Sequence, residues 1–366
     1  MRPRRVIISG GGTAGHIFPA LEVGRKLKEE DSMLHLVFVG SSRKLEKNIM
    51  DKHNVDFIPL KIEGLKGMGI KTIRSLALLP SSFIKSLFIL LRIKPDLVIG
   101  VGGYSSGPIV LLSSLLRIPT LIMEQNSRPG FTNRLLRRWA NKAAVSFKSS
   151  VAFFKGKAVL TGNPVREEFY SLASKPRNSR LSLLVFGGSQ GSHFLNTGIV
   201  RCLPLIHKAK NNLIIYHQTG EKDFDWIKLT YQKLGFKEAT VAPFFYDMPN
   251  YFRKADLIIS RAGATTVAEL LAARKASILI PFAQAADNHQ EKNARELESL
   301  EGAEVITERK FTPEILSEKI LSYSSHKDRI TRMENSLERI RTEKAAGKIS
   351  RLCFELIEAG HKEKQR

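Results

Sequence analysis

Near the start of the chain, Val6-Ile7-Ile8 runs into Ser9-Gly10-Gly11-Gly12-Thr13-Ala14-Gly15-His16. A short apolar strand followed by glycines and small residues gathers bare backbone N–H groups in one place. Ala20, Leu21, Val23 and Leu27, after Pro19, have helical spacing, so a helix is expected to start beside that loop. A helix N-terminus over a glycine loop favours an anion. His16 stands at this mouth, and an imidazole that titrates near neutrality suits a general base. The plain alternative is a turn that only lets helix and strand pack closely.

Gly10, Gly12 and Gly15 also satisfy G-x-G-x-x-G, the dinucleotide fingerprint. That fingerprint needs an acid about 20 residues further on, at the end of the second strand, to hold a ribose. The second apolar run, 36–39, ends in Gly40-Ser41-Ser42-Arg43-Lys44, with no acid. Arg43 would suit a 2′-phosphate there, which keeps an NADP-dependent enzyme open.

Other strand ends carry similar chemistry. Gly102-Gly103-Tyr104-Ser105-Ser106-Gly107-Pro108 is a second glycine-rich turn, and Gly187-Gly188-Ser189-Gln190-Gly191 a third. Such turns suit a polyanion through their N–H groups. Glu124-Gln125-Asn126 abruptly ends an apolar strand; Glu124 would orient His16 or bind hydroxyls, unless the cluster merely caps a helix before Pro129. After the run 257–260 comes Arg261-Ala262-Gly263-Ala264-Thr265-Thr266-Val267-Ala268-Glu269, small residues at a helix start with an acid one turn inside. Glu269 has two acceptor oxygens for the two hydroxyls of a ribose, its alternative being a solvated helix position. Asp287-Asn288-His289-Gln290 makes an amide-rich turn suited to sugar hydroxyls. Asp223-Phe224-Asp225 spells a D-x-D metal motif, but two acids in a first helical turn are explained by capping and the helix dipole. No metal site is expected.

These residues need strand ends to hold them. Apolar runs at 36–39, 96–99, 120–123, 159–161, 183–186, 213–216, 257–260 and 277–280 alternate with helix-length segments. That pattern predicts parallel sheets covered on both faces, with ligands beyond the carboxyl ends of the strands. At 366 residues, two domains are expected. The polar, basic stretch 174–180 separates Gly162-Asn163-Pro164-Val165 from a second strand-and-glycine opening at 183–191. Two similar halves with a cleft between them follow from this arrangement. The stretch from 334 onward is charged and helical.

Formal net charge is +23, with 43% hydrophobic and 25% charged residues. Nucleic acid, an anionic membrane surface and a phosphate-rich substrate all fit a pI near 10.0. Segment 64–95 has no acid and mixes Lys66, Lys71, Arg74, Lys85, Arg92 and Lys94 with many large apolar residues. Pro80, Lys85 and the serines are expected to interrupt it too soon for a spanning helix, leaving a surface that rests on anionic lipid. Its only rings are Phe83 and Phe88, too few for nucleic-acid stacking. Cys202 and Cys353 match no metal or redox spacing, which points to a reducing compartment, and the four-residue run after Arg5 is no signal peptide.

Taken together, the 11–20, 100–108, 124–126, 162–166, 187–191, 261–269 and 287–290 stretches resemble the MurG family of peptidoglycan glycosyltransferases, over nearly the whole chain. Ala14 departs from the glycine usual there but keeps its backbone N–H. The resemblance implies an α/β GT-B fold, two Rossmann-like domains with parallel sheets facing a central cleft. The N-terminal, acceptor- and membrane-associated domain would span 1–163, joined by a last helix at about 344–366, and the C-terminal donor domain 164–343. It implies UDP-N-acetylglucosamine as donor and a lipid-linked muramyl-pentapeptide as acceptor, inversion to a β-1,4 link, and no cofactor or metal. Thr13, Ala14 and Gly15 would line the sugar–phosphate and acceptor pyrophosphate region, and Asn126 and Gln290 would bind the sugar. Arg166 and Ser189 would bind the nucleotide phosphates. Phe245 and Ala264, Thr265, Thr266, Val267, Ala268 and Glu269 would hold uridine and ribose. His16 is the expected base, with Glu124 a secondary base or acceptor ligand. An anionic membrane surface and other cell-wall and division proteins would be partners, nucleic acid would not, and the enzyme would sit on the cytoplasmic face of the bacterial inner membrane. A diacylglycerol glycosyltransferase or a UDP-N-acetylglucosamine 2-epimerase is the alternative.

Overall fold

The computed structural model describes residues 2–11, 14–42, 44–60, 70–172, 179–339 and 344–365, with backbone only at 14, 44–45, 70–79 and 363–365. The chain divides into two compact units, Met1–Val165 with Glu343–Arg366, and Arg166–Thr342.

The first unit contains β1 (Arg5–Ser9), α1 (Ala14–Glu30), β2 (His35–Ser41), α2 (Lys44–Lys52), β3 (Asp56–Leu60), α3 (Ile70–Ile93), β4 (Leu97–Gly100), α4 (Ser106–Leu115), β5 (Thr120–Glu124), α5 (Phe131–Leu136), β6 (Lys142–Val145) and β7 (Ala158–Leu160). The second contains α6 (Glu167–Tyr170), β8 (Leu181–Phe186), α7 (His193–Cys202), β9 (Leu213–Gln218), α8 (Phe224–Lys233), β10 (Ala239–Ala242), α9 (Met248–Lys254), β11 (Leu257–Ser260), α10 (Ala264–Ala272), β12 (Ser277–Leu279), α11 (His289–Ser299), β13 (Ala303–Val305), α12 (Pro313–Ser325) and α13 (Asp328–Glu338). Helix α14 (Ala345–Gln365) belongs to the first unit.

Both sheets are parallel. Their orders are β3-β2-β1-β4-β5-β6-β7 and β10-β9-β8-β11-β12-β13. In each, the chain doubles back at its first strand. The crevice at that reversal, between β1 and β4 or between β8 and β11, is where doubly wound sheets bind ligands.

Strand alternation sorts the core. Val6 and Ile8 pack with Ile17, Val23 and Leu27 of α1, while Ile7 packs on the opposite face with Ile89 and Leu90 of α3 and Ile109 and Val110 of α4. Ile349, Leu352, Cys353 and Ile357 of α14 recur at helical spacing and join the α1 layer. In the second unit, Leu183 and Val185 of β8 meet Leu195 and Ile199 of α7 and Leu257 and Ile259 of β11.

Four strands go beyond the apolar runs. β3, β10 and β13 lie at sheet edges, where one flank needs no neighbour, and β6 is a short run of alanines closed by Val145. Two helices also differ from expectation. α1 starts at Ala14, so His16 is in its first turn and Pro19 lies inside it. Pro19 lacks the N–H that would have bonded the Gly15 carbonyl, so the helix forgoes that i→i−4 bond. α3 runs through Pro80, which does not interrupt it. Even so, among the described residues no helix is long and apolar enough to cross a membrane.

Candidate functional site

The loops after β1 and β4 meet at the first unit's crevice. Gly10 N–H donates to the Val39 carbonyl at 3.0 Å, Gly11 N–H to Gly102 at 3.4 Å, and Val101 N–H to Ser9 at 2.8 Å. The half-buried ring of His16 lies against Gly102, whose φ is +94°; a Cβ there would stand 3.1 Å from the ring Cε1. Glycine at 102 therefore serves both the backbone conformation and the ring's seat. His16 Nδ1 lies 3.2 Å from Gln125 Oε1, and Gln125 Nε2 donates to the Val101 carbonyl at 3.1 Å.

Two expectations change here. An acid does occupy the end of β2, supplied from α2. Glu46 is 1% exposed and accepts from the Ser41 N–H at 3.1 Å and the Ser41 hydroxyl at 2.5 Å. A Cβ on Gly11 or Gly40 would fall 1.9 Å from its Oε1, so the carboxylate is packed against the loop rather than presented to a ribose. Glu124 does not orient His16. Its carboxylate accepts from the Asn126 N–H (2.9 Å), Asn126 Nδ2 (3.3 Å), Gly130 N–H (3.0 Å) and Asn133 Nδ2 (2.9 Å). Burial raises its pKa, and these four donors oppose that rise. Glu124 is thus held by the turn that follows β5, and its neighbour Gln125 meets the histidine. Asn126 is held half-buried by the same turn. Gly15 lies in the first turn of α1, Thr13 lies outside the described residues, and of Ala14 only the helical backbone is described.

In the second unit, the loops after β8 and β11 occupy the equivalent crevice. Ser189 is exposed in the turn between Gly188 and Gly191, where Gly191 N–H donates to the Gly188 carbonyl at 3.1 Å. Gln218, 1% exposed at the end of β9, donates to that same carbonyl at 2.9 Å and accepts the Phe245 N–H at 2.8 Å. It thereby ties the glycine turn to the loop after β10. The Phe245 ring is buried and stacked on Tyr251 at 3.8 Å between centroids, so one ring face is already covered.

Helix α10 buries Ala264, Val267, Leu270 and Ala272 and leaves Thr265, Thr266, Ala268 and Glu269 half-buried. The N–H groups of its first turn have no partner within the helix. Burial pushes the Glu269 carboxyl up to about 7, against the opposing field of Arg166. Arg166 itself precedes α6, with its guanidinium 5.1 Å from the Phe169 ring. Gln290, second residue of α11, accepts the Phe282 N–H at 3.0 Å and so braces the turn before it. Arg261, which opens the small-residue turn, is buried, with Nη1 in an ion pair with Glu308 at 2.6 Å and donating to the Ile280 carbonyl at 3.0 Å, while its Nε donates to Ser192 Oγ at 3.0 Å and so joins this turn to the glycine loop after β8. Asp223 is the N-cap residue of α8 but makes no side-chain capping bond: its carboxylate instead accepts from His193 Nδ1 (3.0 Å), Asn196 Nδ2 (2.8 Å) and Trp226 Nε1 (3.1 Å), bracing the start of α7.

Two crevices built alike are now in place, one with a seated histidine and one with a helix N-terminus and an acid. Residues 6–145 match the glycosyltransferase family 28 N-terminal domain, and residues 182–349 its C-terminal domain. The chain is 40% identical, over 97% of its length and 98% of the relative's, to a protein of Desulfotalea psychrophila called UDP-N-acetylglucosamine–N-acetylmuramyl-(pentapeptide) pyrophosphoryl-undecaprenol N-acetylglucosamine transferase. It is 41% identical to the protein of that name in Syntrophus aciditrophicus, over 96% and 99% of the two chains. The chain belongs to the MurG family. The crystal structure of Acinetobacter baumannii MurG superposes with a TM-score of 0.76 at 27% identity, covering 96% of this chain and all of that one. The fold is accordingly GT-B, built from two Rossmann-like domains.

MurG membership removes the NADP reading that Arg43 had kept open. The partners that hold the site together were the harder part to foresee. Gln125 and Gln218 are buried polar residues whose bonds cross between loops far apart in the chain, and Glu46 is a buried acid that bonds back to Ser41. Gln125 alone carried a visible signal, its place between Glu124 and Asn126 at a strand end.

Proposed function

We propose that this chain transfers N-acetylglucosamine from UDP-N-acetylglucosamine to the 4-hydroxyl of the undecaprenyl-pyrophosphoryl-N-acetylmuramyl-pentapeptide, converting lipid I to lipid II in peptidoglycan synthesis. The observation that carries this is the 40% identity over 97% of the chain to a protein of that name. Inverting transfer is a single displacement, so it needs a base for the acceptor hydroxyl and stabilisation of the departing diphosphate. His16 takes the proton. Ala14 and Gly15, at the same helix start, and Thr13, which precedes them in sequence, meet the sugar–phosphate and acceptor pyrophosphate with backbone N–H groups.

The nucleotide belongs to the second unit. Ser189 and Arg166 hold its phosphates, and the charge that develops on UDP is met by fixed dipoles and a guanidinium. The turn Ala264, Thr265, Thr266, Val267, Ala268 and Glu269 takes uridine and ribose, with Glu269 accepting from the ribose hydroxyls. Phe245 contributes through its main chain, since its ring is engaged by Tyr251. Asn126 and Gln290 bind the sugar hydroxyls, and Glu124 acts by holding Asn126 in place.

The acceptor is a lipid, so a membrane-facing surface is part of the same reading. On the C-terminal half of α3, Ser82, Ser86, Ile89 and Leu90 are buried while Ile84, Leu87, Phe88 and Leu91 are exposed. Leu115 and Leu116 at the end of α4, and Phe131, Leu135 and Trp139 in and after α5, are exposed on neighbouring helices, among Arg92, Arg117 and Arg138. Exposed apolar residues with exposed arginines in or next to the same helices suit a peripheral site on anionic lipid at the cytoplasmic face of the inner membrane, where other cell-wall and division proteins would be met. Lys66 lies outside the described residues, and Lys71 and Arg74 are described by backbone alone.

The deciding experiment is transfer of labelled N-acetylglucosamine from UDP to a lipid-linked muramyl acceptor. Label on that lipid is expected. Label on diacylglycerol, or release of free sugar without acceptor, would replace this reading with one of its two alternatives.

A further inference from the structure

We propose that Gln125 is the positioning residue for His16, fixing the imidazole as its Nδ1–H tautomer and placing the basic lone pair on Nε2. The inference rests on the reading of His16 as base, and its structural half stands on bonds alone. The Val101 carbonyl can only accept, so the Gln125 amide must turn its NH2 toward it; that bond is 3.1 Å. The amide oxygen then faces His16 Nδ1 at 3.2 Å. An amide oxygen also only accepts, so Nδ1 carries the proton and Nε2 the lone pair.

The geometry leaves little freedom. Gln125 is 2% exposed, and Gly102 backs the imidazole so closely that a Cβ would stand 3.1 Å from Cε1 and 3.3 Å from Nδ1. One ring face is set by the loop after β4 and one ring edge by the end of β5. A neutral amide does this without adding charge, so it sets the tautomer without itself favouring the charged ring. Three ionisable groups on the surrounding elements have identified surroundings. Glu124 on β5 bonds Asn126, Gly130 and Asn133; Glu46 from α2 bonds Ser41; Tyr104 follows the glycines of the β4 loop, its phenol raised by burial.

The test is nitrogen NMR on the full chain labelled in its histidines, with the His16 signals assigned by their loss in His16→Ala. A protonated Nδ1 and an unprotonated Nε2 in the neutral ring of the native chain, giving way to a tautomer mixture in Gln125→Leu, supports the proposal. A protonated Nε2 in the native chain, or an unchanged tautomer in Gln125→Leu, overturns it. Kinetics add a readout that a merely structural role would not move. Gln125→Leu is expected to lower kcat about tenfold or more with the donor KM little changed, less than the loss in His16→Ala, because a positioned base is worth roughly 10²–10⁴-fold. Gln125→Glu, close to isosteric and the variant to use if the leucine variant does not fold, should move the acid limb of the kcat profile upward by about one pH unit, since a carboxylate against Nδ1 favours the charged ring. An unmoved limb counts against the contact. If His16→Ala retains full turnover, the base reading fails while the nitrogen assignment still decides what Gln125 does.

Discussion

Glu269 sits in the field of Arg166, and burial outweighs that field: the carboxyl is pushed up to about 7. The ribose hydroxyls would donate to its charged form, so nucleotide binding must draw off a proton where the free carboxyl still holds one. UDP affinity should therefore rise with pH through about 6–7.5 and level off above it, by at most about tenfold per pH unit. The phosphate titrates nearby, so the measurement is the difference between the native chain and Glu269→Gln by calorimetry. Equal slopes in the two would dismiss Glu269 as the titrating group.

The same shift bears on stability. A carboxyl with a raised folded pKa binds more protons in the native state. Its contribution is fully present below the unfolded value of 4.5 and is lost as pH rises from there through about 7. In the absence of nucleotide, Glu269→Gln should remove part of the decline in Tm over that window. Saturating UDP should stabilise the native chain more at pH 8 than at pH 6.

Gln218 joins the Gly188 carbonyl to the Phe245 N–H from a buried position. Gln218→Leu would leave both groups without this partner, at a cost of about 1–3 kcal/mol of folding stability. It should also loosen two loops that the donor is proposed to touch. We expect a lower Tm together with weaker UDP binding. A variant with native Tm and native UDP affinity would show that the two loops hold their places without it.

For Glu124, scaffold and base predict opposite patterns. Four hydrogen bonds and 2% exposure make Glu124→Ala a folding mutation, expected to cost several kcal/mol, with activity falling in step with stability. A general base would instead lose kcat at unchanged Tm. Thermal unfolding and turnover measured on one preparation separate the two.

The exposed stripe on α3 gives a membrane prediction with little folding cost. Ile84 and Phe88 are 71% and 62% exposed, so Ile84→Ser with Phe88→Ser should leave Tm nearly unchanged. Each lost contact with lipid is worth up to about 2 kcal/mol, so binding to anionic vesicles should fall by about tenfold or more. Raising salt should weaken the native chain and the double variant by the same factor, because salt screens only the basic residues. Lys85 is the less clean charge to remove, since its Nζ also bonds the Pro59 carbonyl at 2.7 Å. Vesicle binding unchanged in the double variant would place the membrane contact elsewhere.

What the sequence determined by itself was local. Apolar runs of three or four residues alternating with helix-length segments require parallel sheets, and glycine turns after β1, β4 and β8 mark anion-binding ends, because strand burial and backbone geometry act over a few residues. The ordered series of motifs from Gly11 to Gln290 was enough to indicate the family. Which polar side chains met was decided only by the tertiary structure. Glu124 and Gln125 are adjacent in sequence and both suit a partner for His16, yet strand alternation sends them to opposite sides, one to Asn133 and one to Val101 and His16. Glu46 finds its donors locally, in Ser41, but only the tertiary structure packs its carboxylate against Gly11 of the first loop. Periodicity reports which face a residue takes and says nothing of what waits there; that is set when loops separated by a hundred residues close on one crevice.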